Sequence, residues 1–152
     1  MIVDEAQNLG FEALEELRMQ SNINTDKQQF LQIILVGQPQ LKDMLRAPQM
    51  LQFAQRVSSD FHLRPMNADE VSEYIDFRLR AVGSHSELFT ADACKIIADT
   101  SRGIPRTINI LCDTALVYGF AAGVDQITAE LVDTVIQNKA QFGVLPFGLQ
   151  AV

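Results

Sequence analysis

Short apolar runs separated by polar, turn-rich segments fill the first part of the chain. Residues 30–36 form a nearly continuous apolar run rich in Ile and Leu, followed by Gly37, which is typical of a buried strand in a parallel sheet. The apolar residues 1–3 predict a second strand, which ends abruptly in a pair of acidic residues. Residues 61–63 alternate in polarity before Pro65 and predict a short third strand.

Helical spacing of apolar residues predicts helices over residues 11–19, 40–44 and 50–56, and only helices after Pro65. The later helices carry start and stop signals, in particular Asn67 with Glu70 as an N-cap pair, followed by Gly83 as a stop. The remaining signals are Thr90, Pro105 and Thr128 as helix starts and Gly103 as a stop.

This change of pattern divides the chain into a strand-helix part over residues 1–65 and a four-helix part over residues 66–140. Residues 141–152 contain Gly and Pro without periodicity and are predicted to be a linker or tail. The fold class that we expect is therefore α/β, with part of a parallel-sheet core followed by an all-α domain of four helices.

The composition narrows the possible functions of this chain of 152 residues. Its formal net charge of −7 disfavours a domain whose main task is binding the phosphate backbone of nucleic acid. No apolar stretch is long enough for a transmembrane helix, and no secretory signal is visible. The only two cysteines, Cys94 and Cys112, are isolated, which favours reduced thiols in the cytoplasm.

Candidate chemistry lies where the predicted strands end. Asp4 and Glu5 follow the first strand, at the edge that faces the ligand crevice in open parallel sheets. Nucleotide hydrolysis needs one carboxylate for Mg²⁺ and a second group to orient the attacking water. Gln38 ends the second strand and could contact a γ-phosphate or that water. An acidic helix start and an ordinary Gly-Pro turn are the simpler explanations of these two motifs.

Arg106 lies in the first turn of the helix that Pro105 opens. A guanidinium there can bind a phosphate bidentately, while the free N–H groups of the helix start also favour anions. Pairing of Arg106 with a neighbouring acid is an equally ordinary interpretation of this residue.

Taken in order, these motifs resemble the AAA+ ATPases, and most closely the general secretion pathway protein A (ExeA-type) family. The resemblance covers the chain from Met1 to about Lys139. It rests on these segments: Ile2-Val3-Asp4-Glu5-Ala6-Gln7-Asn8-Leu9, Leu14-Glu15-Glu16-Leu17-Arg18, Ser21-Asn22, Ile34-Leu35-Val36-Gly37-Gln38-Pro39, Gln55-Arg56-Val57 and Gly103-Ile104-Pro105-Arg106-Thr107-Ile108-Asn109-Ile110-Leu111-Cys112.

The resemblance implies a role for each matching residue. Asp4 corresponds to the Walker B carboxylate that binds Mg²⁺, and Glu5 to the catalytic glutamate. Gln38 corresponds to sensor 1 and Arg106 to sensor 2 on the helical lid, both contacting ATP. Arg56 corresponds to the arginine finger that a neighbouring subunit receives, which implies a homo-oligomer.

Two alternatives to the assignment of Arg56 stay open in the sequence. Arg46 and Arg64 lie nearby and could supply the finger instead. Arg56 could also be a solvated cation at a helix end, where such residues are common.

The sequence departs from the family at one motif. It contains no Gly-x-x-x-x-Gly-Lys-Ser/Thr phosphate loop, and no lysine follows a glycine. In the family this loop lies upstream of the Asp-Glu strand, so we expect the chain to be the downstream part of an ATPase core plus its lid. We therefore expect these residues alone to be inactive toward ATP.

Three functional hypotheses follow from the resemblance and the composition. The first is an ATP-hydrolysing module of bacterial secretion or envelope biogenesis, acting with secretion or envelope proteins at the cytoplasmic face of the inner membrane. The second is a related ATPase of DNA transposition. The acidic net charge argues against this hypothesis, because an acidic domain repels DNA, and DNA is therefore not an expected partner. The third is an interaction module without enzymatic activity.

Overall fold

A computed structural model of the chain describes residues 1–21, 31–84 and 87–142. In chain order its strands and helices are β1 (Ile2–Val3), α1 (Phe11–Gln20), β2 (Ile34–Leu35), α2 (Pro39–Arg46), α3 (Leu51–Ala54), α4 (Ala68–Ala81), α5 (Ala91–Ser101), α6 (Pro105–Ala122) and α7 (Ala129–Phe142). Short 3-10 turns lie at Ala6–Asn8 and Pro48–Met50. The chain forms two compact units, Met1–His62 and Leu63–Val152. The predicted tail lies mostly outside the described residues.

The first unit contains a parallel pair of strands in which Ile2 is opposite Ile34 and Val3 is opposite Leu35. Val3 and Leu35 are half-buried, and Leu35 packs against a core formed by Leu14 of α1 with Met50 and Phe53. The other face of the pair is open, since Ile34 is 56% exposed. A strand of a parallel pair forms in residues 30–36 as predicted, but among the described residues it covers only Ile34–Leu35. The prediction that this run is buried is wrong for Ile34 and for Val36, which is 46% exposed.

The predicted third strand at residues 61–63 is also wrong. These residues have no regular secondary structure and no strand pairing, and the side chains of Phe61 and Leu63 are 87% and 82% exposed. A strand forms only when a neighbour supplies hydrogen-bond partners. In the part of the chain that the structure describes, no strand lies beside this segment.

The second unit contains four described helices, α4 to α7, packed around one apolar core. Val71, Ile97, Ile108, Leu111 and Val132 are fully enclosed in it. The loops before α5 and α7 are joined by a parallel bridge between Phe89 and Ile127. In α4 the apolar residues Val71 and Ile75 are buried in this core, whereas Val82, just beyond the end of the helix, is 80% exposed.

Capping groups begin these helices as the sequence predicts. The Oδ1 of Asn67 accepts the N–H of Glu70 at 2.9 Å, and Oε2 of Glu70 accepts the N–H of Asn67 at 2.8 Å. The Oγ1 of Thr90 accepts the N–H of Ala93 at 3.2 Å. Each bond satisfies a donor that would lack a partner at the start of a helix. None of the described helices is long and apolar enough to cross a membrane.

The turn between α5 and α6 is held against the segment that enters α4. The backbone N–H of Met66 donates to the carbonyl of Gly103 at 3.0 Å. A Cβ on Gly103 would lie 1.9 Å from the carbonyl oxygen of Met66, and its φ is +70°. Only glycine fits there, and this contact fixes the start of α6 within the second unit.

Candidate functional site

Three predicted site residues lie together at the carboxyl ends of β1 and β2. Asp4 and Glu5 follow β1 directly, and Gln38 lies between β2 and α2 as the N-cap residue of that helix. Because the strands are parallel, their carboxyl ends meet at the same edge of the sheet. The Nε2 of Gln38 lies 3.5 Å from Oε2 of Glu5. The sequence therefore brings an amide and two carboxylates to one edge, and all three side chains are solvent-accessible.

The backbone turns sharply at Glu5. This residue has φ 51° and ψ 37°, a left-handed conformation that costs a non-glycine residue on the order of 1 kcal/mol. Its N–H donates to Oδ1 of Asp4 at 2.8 Å, and the N–H of Ala6 donates to the carbonyl of Val36 at 2.9 Å. These bonds hold the two acidic residues in a turn immediately beyond the strand.

Gln7, for which the sequence predicts no individual role, connects the two strand ends. Its Nε2 donates to Oε2 of Glu5, and its Oε1 accepts the backbone N–H of Gln38 at 3.0 Å. A Cβ on Gly37 would lie 2.7 Å from this Oε1, so the glycine leaves room for the amide. The only sequence signal for this role was the position of Gln7 two residues after Glu5. The contact of Gln7 with Gln38 depends on the register of the strands, which the sequence does not show.

Arg56 lies elsewhere in the first unit, just beyond the end of α3. Its Nη1 donates to Oγ of Ser21 at 2.9 Å, and this hydroxyl donates to the carbonyl of Arg18 at 2.6 Å. The side chain is thus held at the carboxyl end of α1, where carbonyl groups favour a cation. Arg56 is exposed but is anchored on one side, which distinguishes it from a freely solvated cation.

The surroundings of Arg56 are charged. The hydrogen bond from Arg18 holds the pKa of Glu15 below its ordinary value, and the charge of Arg56 contributes in the same direction. Arg64, one of the alternatives to Arg56, instead pairs with Glu70 in the second unit at 2.7 Å. Arg46, the other alternative, lies exposed at the end of α2.

Arg106 belongs to the second unit and occupies the first turn of α6, next to Pro105 at the first helical position. Ile104 precedes the helix, and its side chain offers no cap. The guanidinium of Arg106 is exposed and makes no hydrogen bond or ion pair with the described residues. Pairing with a neighbouring acid, the simpler interpretation of the sequence, is therefore not what the structure describes.

The carboxylates at the end of β1 are better suited to a magnesium ion that keeps part of its water shell than to a metal ion held by protein ligands alone. Within residues 1–21, 31–84 and 87–142, no group of three or more His, Cys, Asp or Glu could hold a metal. Mg²⁺ commonly takes one or two protein carboxylates, keeps several waters and shares phosphate oxygens of its substrate. Asp4 offers an exposed carboxylate of this kind, with one oxygen already bound to the N–H of Glu5.

Comparison with known proteins agrees with this architecture. A family model described as an AAA domain matches residues 1–45. General secretion pathway protein A of Aeromonas hydrophila is 43% identical over 127 residues, which is 84% of this chain and 23% of that protein. The chain thus spans less than two thirds of the length of this relative.

Solved structures with the same fold include those of RuvB from Thermotoga maritima. A point mutant of RuvB has a TM-score of 0.66 at 20% identity, covering 99% of this chain and 46% of that one. A structure described as the RuvB Holliday junction branch migration motor has a TM-score of 0.62 at 18% identity, with coverage of 99% and 46%. At these identities the likeness shows the fold alone.

The chain accordingly has a partial α/β fold of the AAA+ class of P-loop ATPases. The resemblance noted in the sequence is confirmed by the long match at 43% identity. Within the AAA+ class, the chain belongs to the general secretion pathway protein A (ExeA-type) family.

Proposed function

We propose that this chain supplies the water-activating and phosphate-sensing part of an ATP-hydrolysing AAA+ module. The observation that carries this proposal is the meeting of Asp4, Glu5 and Gln38 at one edge of a parallel strand pair. That edge is where open parallel sheets bind their ligands. A carboxylate pair beside an amide has the groups that nucleotide hydrolysis requires.

Each residue at this edge has a distinct role in the proposed reaction. The carboxylate of Asp4 would hold Mg²⁺, in part through water, and the ion would neutralise charge on the phosphates of ATP. Glu5 accepts a proton from the attacking water. Gln38 donates a hydrogen bond to the γ-phosphate or to that water, from a position 3.5 Å from the carboxylate of Glu5.

Two arginines elsewhere in the chain have proposed roles toward the nucleotide. Arg106, unpaired among the described residues and placed in the first turn of α6, binds the phosphates of the nucleotide held by its own subunit. Arg56, anchored by Ser21, acts on the nucleotide of a neighbouring subunit, so the working protein is a homo-oligomer.

The cellular setting is proposed from the relative in the secretion pathway. The module acts at the cytoplasmic face of the bacterial inner membrane, where its ATP-dependent changes are passed to secretion or envelope proteins. The net charge of −7 argues against the alternative of a DNA-bound ATPase of transposition. An interaction module without activity is the alternative that the following experiment addresses.

The proposal is tested by ATP turnover of the complete protein that contains this chain. Glu5→Gln should lower kcat by roughly 100-fold or more while ATP binding is retained, since only water activation is lost. Glu12→Gln, an exposed change on α1, is the matched control and should leave turnover unaltered. Absence of turnover in the unaltered protein, or normal turnover in Glu5→Gln, would contradict the proposed function.

A further inference from the structure

The side-chain amide of Gln7 contacts both strand ends with its two different atoms. The Nε2 donates to the carboxylate of Glu5, and Oε1 accepts the backbone N–H of Gln38 at 3.0 Å. A carboxylate can only accept and a backbone N–H can only donate. An exchanged amide would face an acceptor with an acceptor and a donor with a donor. The two partners therefore fix one orientation of the amide.

The backbone on both sides of this contact is also held. Gln7 lies in the 3-10 turn Ala6–Asn8, which is closed by bonds from the N–H of Asn8 to Glu5 at 2.9 Å and from Leu9 to Ala6 at 3.1 Å. On the other side, the absence of a Cβ on Gly37 permits the approach of the amide. The amide thus connects two fixed stretches of main chain.

The hydrogen bond from Gln7 leaves the carboxylate of Glu5 with one occupied oxygen, Oε2, and one available oxygen, Oε1. Both amide nitrogens that approach it, those of Gln7 and Gln38, are directed to Oε2. Among the described residues, no group donates to its Oε1. That oxygen can accept a proton from water while the other is held in place.

We propose that Gln7 is a positioning residue that ties the carboxylate of Glu5 to the backbone of Gln38. The inference rests on the proposed function, in which Glu5 activates water and Gln38 contacts the γ-phosphate. A displacement of the main chain at Gln38 is then passed to Oε2 of Glu5 through one amide. In this role Gln7 acts through Glu5 and Gln38 rather than through a contact of its own with the nucleotide.

Two substitutions separate the two hydrogen bonds. Gln7→Leu removes both of them with little change in size. Gln7→Glu has nearly the same shape and keeps an acceptor for the N–H of Gln38, but it loses the donor to Glu5. Gln52→Leu is the matched control, because Gln52 is exposed on α3 and makes no side-chain hydrogen bond with the described residues.

Turnover of ATP by the complete protein measures the catalytic effect. Both Gln7 variants should lower kcat by about 10- to 100-fold, the scale expected for a lost hydrogen bond to a charged group. The KM for ATP should stay within about twofold, because no contact with the nucleotide is removed. The Gln52→Leu control should have the unaltered kcat.

Hydrogen–deuterium exchange of the backbone N–H of Gln38 measures its hydrogen bond to Oε1 of Gln7 without reference to activity. Exchange should become at least about tenfold faster in Gln7→Leu, whereas Gln7→Glu should retain the protection. The amide of Val36, which donates to the carbonyl of Val3 at 2.8 Å, should stay protected in both and so reports that the strands remain paired.

The outcomes distinguish this inference from the proposed function. Unchanged exchange at Gln38 in Gln7→Leu would overturn the contact itself. Altered exchange with a normal kcat in both variants, or a raised KM with an unaltered kcat, would overturn its positioning role. No turnover in the unaltered protein would overturn the proposed function and with it the catalytic meaning of the contact, whatever the exchange shows.

Discussion

Two glycines of the second unit form a matched pair for testing the contact that fixes the start of α6. Gly103 and Gly123 have nearly the same positive φ, +70° and +68°. An added Cβ would lie 1.9 Å from the carbonyl oxygen of Met66 at Gly103, whereas at Gly123 nothing lies within 4 Å. Substitution by alanine therefore imposes the same backbone strain at both positions and a steric clash at only one.

The free-energy cost of each substitution can be estimated from these contacts. The left-handed conformation costs an alanine roughly 1–2 kcal/mol at either position. At Gly103 the clash must also separate the N–H of Met66 from the carbonyl of Gly103, now 3.0 Å apart, which adds about 1–3 kcal/mol. Gly103→Ala should thus lower the melting temperature by at least about 4 °C more than Gly123→Ala.

Tyrosine fluorescence is a suitable assay because the chain has two tyrosines and no Trp. Both Tyr74 and Tyr118 lie in the second unit, so their emission reports the unfolding of that unit. Equal melting temperatures of Gly103→Ala and Gly123→Ala would refute the reasoning. They would mean that the close approach to Met66 contributes nothing to the placement of α6.

Two further predictions concern single polar contacts. The hydrogen bond from Arg64 lowers the pKa of Glu70, so this group stabilises the folded state fully above its unfolded pKa, and the contribution is lost as the pH falls through its lowered folded pKa. The difference in melting temperature between the unaltered protein and Glu70→Gln should accordingly be largest at neutral pH and disappear in acid; a difference independent of pH would contradict this. Ser21→Ala removes the anchor of Arg56 and should lower the kcat of the complete protein by about 2- to 10-fold, less than Arg56→Ala does. A silent Ser21→Ala beside an impaired Arg56→Ala would show that the anchor is not needed.

The helices of the second unit could be predicted because their signals are local. The caps at Asn67 and Thr90 each involve residues within one turn, and Pro105 marks a helix start by its own geometry. The structure reproduces these starts because a cap needs no distant partner. The same holds for α1, since the spacing of its apolar residues predicted a helix over residues 11–19 and the structure has one over Phe11–Gln20.

The strands and the contacts of the site depended on distant residues, and here the sequence was less informative. Residues 61–63 alternate as a strand should, but an alternating pattern does not supply a pairing neighbour. The meeting of Asp4 and Glu5 with Gln38 could be predicted from strand order alone, since parallel strands end at the same edge. The hydrogen bonds from Gln7 to Glu5 and Gln38 could not be predicted, because they require the register that places Ile2 opposite Ile34.

The central claim is that each subunit hydrolyses ATP with its own Glu5 and receives Arg56 from a neighbour. Arg56→Ala subunits keep an intact Glu5, and Glu5→Gln subunits keep an intact Arg56. Neither variant should hydrolyse ATP alone, since an arginine finger is worth about 10³- to 10⁵-fold in rate. Mixed together, the two should regain part of the activity at interfaces that combine both intact groups.

The most direct measurement is therefore the ATP turnover of such mixtures of the complete protein, with co-assembly established in each. Arg56→Ala mixed with Glu5→Gln should recover activity, whereas Arg106→Ala mixed with Glu5→Gln should not, because Arg106 serves the nucleotide of its own subunit. Arg46→Ala is the control for the neighbouring arginine and should be active by itself. No recovery in the first mixture, or recovery in the second, would contradict the account.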